Sequence, residues 1–229
     1  MKNSIIILVA LFFVTACSTQ KKVTANTVEE QTSAPQSNAY FQKMGETLGQ
    51  FAQCKNSQDF NKLSNQFVVI SKVETKEWLP LYYAAQCKII ASFITEDATE
   101  KDMYLEQTRQ WFEQMEKLAP AESEIFALKA LYYTAALTVN PMVRGQEYSM
   151  LSNKAASKAL GMNKDNPRAK YILLANKIGF AQFFGKEITE ECKEAEALLE
   201  NWDTYKVASP IHPKWGKDRV EAIVEDCKK

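Results

Sequence analysis

The stretch MYLEQTRQWFEQMEKL, residues 103–118, decides the fold class of this 229-residue chain. The side chains of one face recur at steps of three and four, which is the period of an α-helix. They are Tyr104, Thr108, Trp111, Phe112, Met115 and Leu118. Segments further along repeat this pattern, and no segment of useful length alternates as a strand does. The sequence therefore predicts an all-α protein.

The predicted helices start at a regular interval. Candidate starts at Trp78, Ser123, Pro167 and Pro213 are separated by 45, 44 and 46 residues. Asn166 before Pro167 is a good helix start, because Asn caps the free amides and Pro suits the first helical position. A fixed period of this size is typical of stacked helix pairs.

These starts predict a helical-hairpin solenoid over residues 39–229, with about four antiparallel pairs and a C-terminal capping helix. The predicted pairs are Ala39–Cys54 with Asp59–Val73, Trp78–Ile94 with Met103–Leu118, Ser123–Thr138 with Glu147–Leu160, and Pro167–Phe184 with Glu190–Asp203. A last helix, Trp215–Cys227, would cover the open end of the array.

The second helix of each unit carries a further marker, a residue eight positions before a proline. The three instances are Phe112 before Pro120, Ala159 before Pro167 and Trp202 before Pro210. The first helix of a tetratricopeptide repeat (TPR) unit carries a leucine, a small residue and a bulky residue three positions further on. Two sets of residues approximate this pattern: Leu128, Ala130 and Tyr133, and Leu174, Ala175 and Ile178. In these features residues 39–210 resemble the TPR family.

The resemblance to TPR proteins is incomplete, because TPR units have about 34 residues and these units have about 45. We expect the extra residues mainly between the helices of a pair, at Val139–Gln146 and Phe184–Thr189. The whole chain also resembles small exported TPR-like lipoproteins of Bacteroidota. That resemblance names no activity, but repeat arrays typically offer an extended concave surface that binds a partner.

The N-terminus predicts export. Ile5–Val14 is an unbroken apolar run, which is too short for the roughly 20 residues of a membrane span and suits a signal peptide over residues 1–16. Val14-Thr15-Ala16-Cys17 resembles a bacterial lipobox, which implies that Cys17 is lipidated and becomes the first residue. Ser18 after it implies the periplasmic face of the outer membrane. The alternative is an ordinary signal peptide with a cysteine nearby.

Residues 17–38 are predicted to be the lipidated cysteine and a disordered tether. Ser18–Asn38 has no aromatic residue and no Leu, Ile or Met, so it cannot bury enough apolar surface to offset its ordering entropy. Fully extended, its 21 residues reach roughly 70 Å.

Without residues 1–16 the chain has 27 basic and 28 acidic side chains. This balance gives no footprint for nucleic acid.

Four cysteines remain once Cys17 is assigned to the lipid. Cys192 and Cys227 would come level if their two helices form an antiparallel hairpin, and both lie on apolar faces. An exported domain can keep a disulfide there. The alternative is two buried free thiols, which pack as small apolar residues. A bridge between Cys54 and Cys87 is less favoured, because the two lie at different heights on their helices.

We predict no catalytic residues, no cofactor and no metal site. The single histidine, His212, lies between two prolines in a predicted loop, and no zinc spacing or Gly-rich phosphate loop is present. Glu190 and Glu191 start a helix, where carboxylates complement its dipole.

The aromatic doublets are the candidate binding residues. Most aromatic side chains should be core, but adjacent helical residues point about 100° apart. One member of Tyr82-Tyr83 and one of Tyr132-Tyr133 would then line the inner surface. Trp215 would dock the last helix or contact a partner. The favoured function is a non-enzymatic adaptor that binds a protein or peptide, and the alternative is a small-molecule or glycan-binding lipoprotein.

Overall fold

The computed structural model describes residues 38–228, and within that range it contains helices, turns and no strand. The helices are α1 (Asn38–Leu48), α2 (Ser57–Val73), α3 (Leu79–Ile94), α4 (Ala98–Leu118), α5 (Ser123–Val139), α6 (Pro141–Met162), α7 (Pro167–Phe183), α8 (Thr189–Glu200) and α9 (Lys217–Asp226). Short 3-10 turns lie at Phe51–Gln53 and Trp202–Thr204. The all-α prediction is confirmed. The predicted signal peptide, the lipidation of Cys17 and nearly all of the tether lie outside the described residues.

Consecutive helices pack as the pairs α1/α2, α3/α4, α5/α6 and α7/α8, and α9 packs on α8. Successive pairs also meet through their first helices, because α3 contacts α5 and α5 contacts α7. This is the predicted array of four pairs with a capping helix.

Asparagine and aspartate caps determine where four of the helices begin. Asn166 Oδ1 accepts a hydrogen bond from the Ala169 amide at 3.0 Å, which satisfies one of the free donors of the first turn of α7. The caps of the other three are Asn56 for α2, Asp97 for α4 and Asn140 for α6. Pro141 and Pro167 follow two of these caps, where their fixed φ suits the first turn.

The prediction that Val139–Gln146 is a connection is wrong. Asn140 caps α6 and Pro141 begins it, so this pair is joined by a single residue. Helix α4 likewise begins at Ala98, five residues before the predicted Met103. The extra length of the second and third units therefore lies largely in their second helices, α4 and α6, of 21 and 22 residues. In the fourth unit α8 has 12 residues, and a connection separates it from the end of α7 as predicted.

Helix α3 runs through the centre of the main core. Its sequence is apolar on nearly every side, and all residues from Leu79 to Ile89 are buried. A helix without a polar face must be covered all round. Helix α2, helix α4, helix α5 and residues near the C-terminus provide that cover.

The segment between α8 and α9, residues 205–216, crosses the first helices of the array, and we call it the strap. Tyr83 Oη donates to the Ile211 carbonyl at 2.7 Å, and Trp215 Nε1 donates to Tyr82 Oη at 2.7 Å. The strap ends at Gly216, whose φ of 107° favours glycine. A Cβ there would lie 3.1 Å from the ring of Trp202.

The predicted bridge between Cys192 and Cys227 is confirmed. The two Cα atoms are 5.8 Å apart, and the disulfide joins α8 to the residue that follows α9. Cys54 and Cys87 are free thiols. The C-terminal helix, which would otherwise fray, is thus fixed covalently to its neighbour.

Candidate ligand-binding groove

A groove of about 840 Å³ lies between α4 and α6, with α5 as its floor. This volume falls in the usual range for small-molecule sites. The lining residues are Thr99, Asp102, Met103, Leu105, Glu106, Arg109, Phe112 and Glu113 from α4, Lys129, Tyr132, Tyr133 and Ala136 from α5, and Arg144, Glu147, Tyr148 and Leu151 from α6. Because three helices supply the walls, the pair-on-pair packing of the array shapes the groove.

Aromatic rings cover the floor and one wall of the groove. Tyr132 lies with its ring centroid 5.5 Å from that of Phe112, and Tyr133 lies 6.2 Å from Tyr148. Tyr132, Tyr133 and Tyr148 are all half-buried. Their rings offer a flat apolar surface, while their hydroxyl groups offer polar contacts.

One ion pair joins the two walls. Arg144 at the start of α6 donates to both carboxylate oxygens of Asp102 near the start of α4, at 2.6 and 2.7 Å. These hydrogen bonds hold the pKa of Asp102 below its ordinary value. A bidentate pair fixes the spacing of the two helices at this end of the groove.

Four other charged residues of the groove are exposed, and Lys129 is half-buried. Arg109 pairs with Glu106 on the same helix at 3.1 Å, and Glu113 and Glu147 stand on opposite walls. Lys129 on the floor pairs with Glu116. The lining therefore carries three cationic and four acidic side chains, and it can meet ligands of either sign.

Burial raises the pKa of Tyr132 to about 12. The phenol is therefore neutral at physiological pH and keeps its proton as a hydrogen-bond donor. Since it lies on the floor beside Phe112, a flat ligand would meet an uncharged aromatic surface there.

The structure separates the tyrosines that the sequence analysis grouped. Tyr132 and Tyr133 lie in the groove. Tyr82 and Tyr83 are buried under the strap, so neither offers a free surface to a partner. Trp215 docks on the array, with its ring 6.3 Å from Tyr171 and its N–H on Tyr82.

The sequence analysis missed Arg144 and Tyr148. Both fall in or beside the segment that was predicted to be a connection, so their spacing of four residues carried no meaning there. On a helix that spacing places both side chains on one face. The Asn-Pro signal at Asn140 and Pro141 would have revealed it.

A second polar centre is buried between α5 and α7. Arg168 Nη2 lies 2.6 Å from Glu124 Oε1, and Asn166 Nδ2 donates to the same oxygen at 2.8 Å. All three residues are buried and have protein partners, so this centre joins two helix pairs. Among residues 38–228, no group of His, Cys, Asp and Glu side chains could hold a metal ion.

His212 belongs to the strap. Its Nδ1 lies 2.7 Å from Ser209 Oγ, and its ring lies 5.7 Å from Trp78. It is not among the residues that line the groove. None of the described helices is long and apolar enough to cross a membrane.

Comparison with known proteins gives a structural likeness and no match by sequence. No family profile and no curated protein sequence matches the chain. Among solved structures, the HusA haemophore from Porphyromonas gingivalis, a Bacteroidota species, matches with a TM-score of 0.73 and 27% sequence identity. The alignment covers 85% of this chain and 96% of that one. Over most of its length, the chain is thus similar to a helical haemophore from a Bacteroidota species. Its sequence resembles exported proteins of the same bacterial group.

Proposed function

We propose that this protein is a non-enzymatic carrier of the cell envelope that binds a flat, porphyrin-type ligand in the groove between α4 and α6. The likeness to a haemophore over 85% of the chain carries this proposal. It replaces the favoured adaptor hypothesis with the alternative of a small ligand held by aromatic side chains.

The groove has the chemistry that such a ligand requires. A porphyrin is a broad aromatic disc with carboxylate groups on one edge. Tyr132, Tyr148 and Phe112 offer ring surfaces for the disc. Arg109 and Arg144 also line the groove, and the N–H groups that they do not use on Glu106 and Asp102 are available to a ligand carboxylate.

The residues that line the groove predict that the protein recognises the porphyrin macrocycle more than the metal ion at its centre. No histidine or cysteine lines the groove, so of the protein ligands usual for haem iron it offers tyrosine oxygen and the Met103 thioether. We therefore expect haem and metal-free protoporphyrin to bind with dissociation constants within about a factor of ten of each other.

Titration of the purified protein with haem and with metal-free protoporphyrin, followed by their absorbance and fluorescence, tests the proposal. Tyr148→Ala should raise Kd about tenfold, since it removes a ring worth about 1 kcal/mol or more. Tyr148→Phe should keep wild-type affinity if the ring stacks. Tyr205→Ala, which removes a half-buried tyrosine outside the groove, is the matched control. If all three variants bind with the wild-type Kd, the ligand binds outside the groove.

A peptide remains the second candidate ligand, and the open, charged lining of the groove favours it. Four carboxylates, those of Asp102, Glu106, Glu113 and Glu147, suit a peptide with basic side chains. Crosslinking in cells from a photoreactive residue placed at Tyr148 distinguishes the two candidates. Specific capture of one protein, together with no porphyrin binding, would favour the adaptor.

The location belongs to the same proposal. Cys17 would carry the lipid and hold the domain at the periplasmic face of the outer membrane, with Ser18 as the sorting residue. The haemophore likeness supports a place outside the cytoplasm. Labelling with radioactive palmitate tests the anchor, and Cys17→Ser should abolish the label. A label that survives this substitution would overturn it.

A further inference from the structure

One edge of the array carries seven large apolar side chains that face solvent. They belong to three successive turns between the helices of a pair, and we call them the apolar edge. Its members are Phe93 and Ile94 at the end of α3, Met142 and Val143 at the start of α6, and Phe180, Phe183 and Phe184 at the end of α7. Exposure reaches 83% for Met142 and 71% for Phe183.

The three turns lie on the same side of the array. Helices α3, α5 and α7 are the first members of their pairs and end at one edge, because each is followed by an antiparallel partner. Hydrogen bonds between the units agree with this alignment of the helices. Arg144 binds Asp102 across the starts of α6 and α4, and Thr134 Oγ1 lies 3.5 Å from Asn176 Oδ1 between α5 and α7.

The three phenylalanines at the end of α7 contact one another and lie outside the core. The ring of Phe184 lies 4.7 Å from that of Phe180 and 5.2 Å from that of Phe183. Lys186 stands over Phe180 at 5.5 Å. Exposed aromatic and aliphatic groups that line up along one edge mark a binding surface for a protein or a membrane.

Two observations favour a lipid surface as the occupant. First, the chain from Ser18 to Asn38 is long enough for the apolar edge to reach the membrane in which the proposed Cys17 lipid would sit. Its 21 residues reach roughly 70 Å when extended, whereas a 17-residue helix such as α7 spans about 25 Å. Second, phenylalanine and methionine on the edge suit the boundary between headgroups and acyl chains.

The charges beside the apolar edge indicate which lipid it would meet. Glu96 and Asp97 are exposed at the first turn, and Lys186 is followed by Glu187 at the third. Because the signs are mixed, no basic cluster attracts anionic headgroups. Insertion should therefore depend on apolar contact and not on lipid charge.

We propose that the apolar edge inserts into the surface of a lipid bilayer and orients the domain on it. The groove between α4 and α6 opens beside this edge, because Asp102, Met103 and Arg144 lie at its near end. An apolar ligand would then pass between the bilayer and the groove without crossing bulk water. The inference shares the Cys17 anchor with the proposed function, and it does not depend on the identity of the ligand.

Flotation with zwitterionic phosphatidylcholine vesicles tests the proposal on a chain that begins at Ser18. This form retains all residues 38–228 and has no lipid, so a failure of the edge is separate from a failure of the anchor. We expect the wild-type chain to float with the vesicles. Phe180→Ser, Phe183→Ser and Phe184→Ser together should lower the partition coefficient about tenfold or more, because they remove most of the apolar area at the third turn.

The matched control is Val69→Ser with Val73→Ser, which removes exposed apolar side chains near the end of α2, at the opposite edge. This variant should float like the wild type. Circular dichroism and porphyrin titration of both variants verify that the fold and the groove are intact.

Three outcomes would overturn the proposal. The first is a wild-type chain that does not float, or a triple variant that floats equally well. The second is flotation that is lost in about 1 M salt, where the screening length is roughly 3 Å and only charge attraction is removed. The third is self-association that the triple variant abolishes while vesicles have no effect, since a second copy would then be the occupant.

Discussion

Glu124 and Arg168 form the most deeply buried ion pair among the described residues. Their side chains are 8% and 7% exposed, and the pair joins α5 to α7. Burial by itself raises the pKa of the Glu124 carboxyl, and the guanidinium of Arg168 opposes this shift. Buried pairs of this kind position elements more than they stabilise the fold, because desolvation offsets their attraction.

Removal of one partner should therefore cost more than removal of both. We expect Arg168→Met to lower the free energy of unfolding by about 3–5 kcal/mol, since Glu124 then loses its counter-charge. Glu124→Gln with Arg168→Met should recover most of that loss, because the amide still accepts from Asn166. Denaturant unfolding measures both. A single variant that stays within about 1 kcal/mol of wild type would contradict this account.

His212 gives the strap a dependence on pH. Burial lowers the pKa of His212 below its ordinary value of 6.5, and Glu124 opposes the shift. When the pH falls through 6.5, the folded state binds fewer protons than the unfolded state. The free energy of unfolding therefore decreases as the pH is lowered. We expect wild type to lose more free energy of unfolding than His212→Gln between about pH 7.5 and about pH 5.5. Equal losses in the two proteins would show that carboxylates alone set the pH response.

At the scale of elements, the disulfide holds α9 on α8. Cys192 and Cys227 are 35 residues apart in sequence. In the chain-entropy description, a loop of that size contributes about 3–4 kcal/mol. Val220 of α9 is buried in a small core with α7 and α8, and Ile223 and Val224 pack half-buried beside it. Because this apolar contact is small, we expect the covalent link to supply a large share of the helix's stability.

Cys192→Ser with Cys227→Ser should lower the free energy of unfolding by about 3 kcal/mol. The amides of α9 should also exchange with deuterium much faster than those of α3, because the helix would open locally. Cys54→Ser, at a free half-buried thiol, is the control. Slow exchange in α9 of the double variant would show that packing alone holds this helix.

The sequence predicted elements best where capping and periodicity agree. Helix α7 begins at Pro167 after the Asn166 cap, as predicted, and ends one residue before the predicted Phe184. Helix α6 was placed six residues too late because its first turn, PMVR, shows no apolar period. The cap at Asn140 alone marks its start. Arg144, which lines the groove, was missed for this reason, since it lies in that turn.

At the scale of the whole molecule, the repeat period predicted the array but not the strap. A repeat period indicates contacts between neighbouring units. The strap, in contrast, contacts helices that are far from it in the sequence. Tyr82 and Trp215 are 133 residues apart and share a hydrogen bond. No local pattern encodes such a contact, so one of Tyr82 and Tyr83 was predicted to line a free surface, whereas both are buried under the strap.

This long-range contact sets how the molecule unfolds. A solenoid without such contacts unfolds as a sum of units and nearest-neighbour interfaces, so its ends can open separately. Here the strap contacts α3 near one end and α7 near the other, through Tyr82 and Tyr171. Opening of either end would expose the strap contacts of both, which makes unfolding cooperative.

Trp215→Ala should therefore change the shape of the unfolding transition as well as its midpoint. We expect a lower denaturant dependence of the free energy, or two separate transitions, because α1–α4 and α5–α9 would no longer be linked through the strap. Trp111→Ala, which removes a half-buried tryptophan of α4 away from the strap, should shift the midpoint and leave a single transition. Circular dichroism and hydrogen exchange across a denaturant series measure both variants. A single transition of unchanged steepness in Trp215→Ala would mean that the interfaces between neighbouring pairs already suffice for cooperative unfolding.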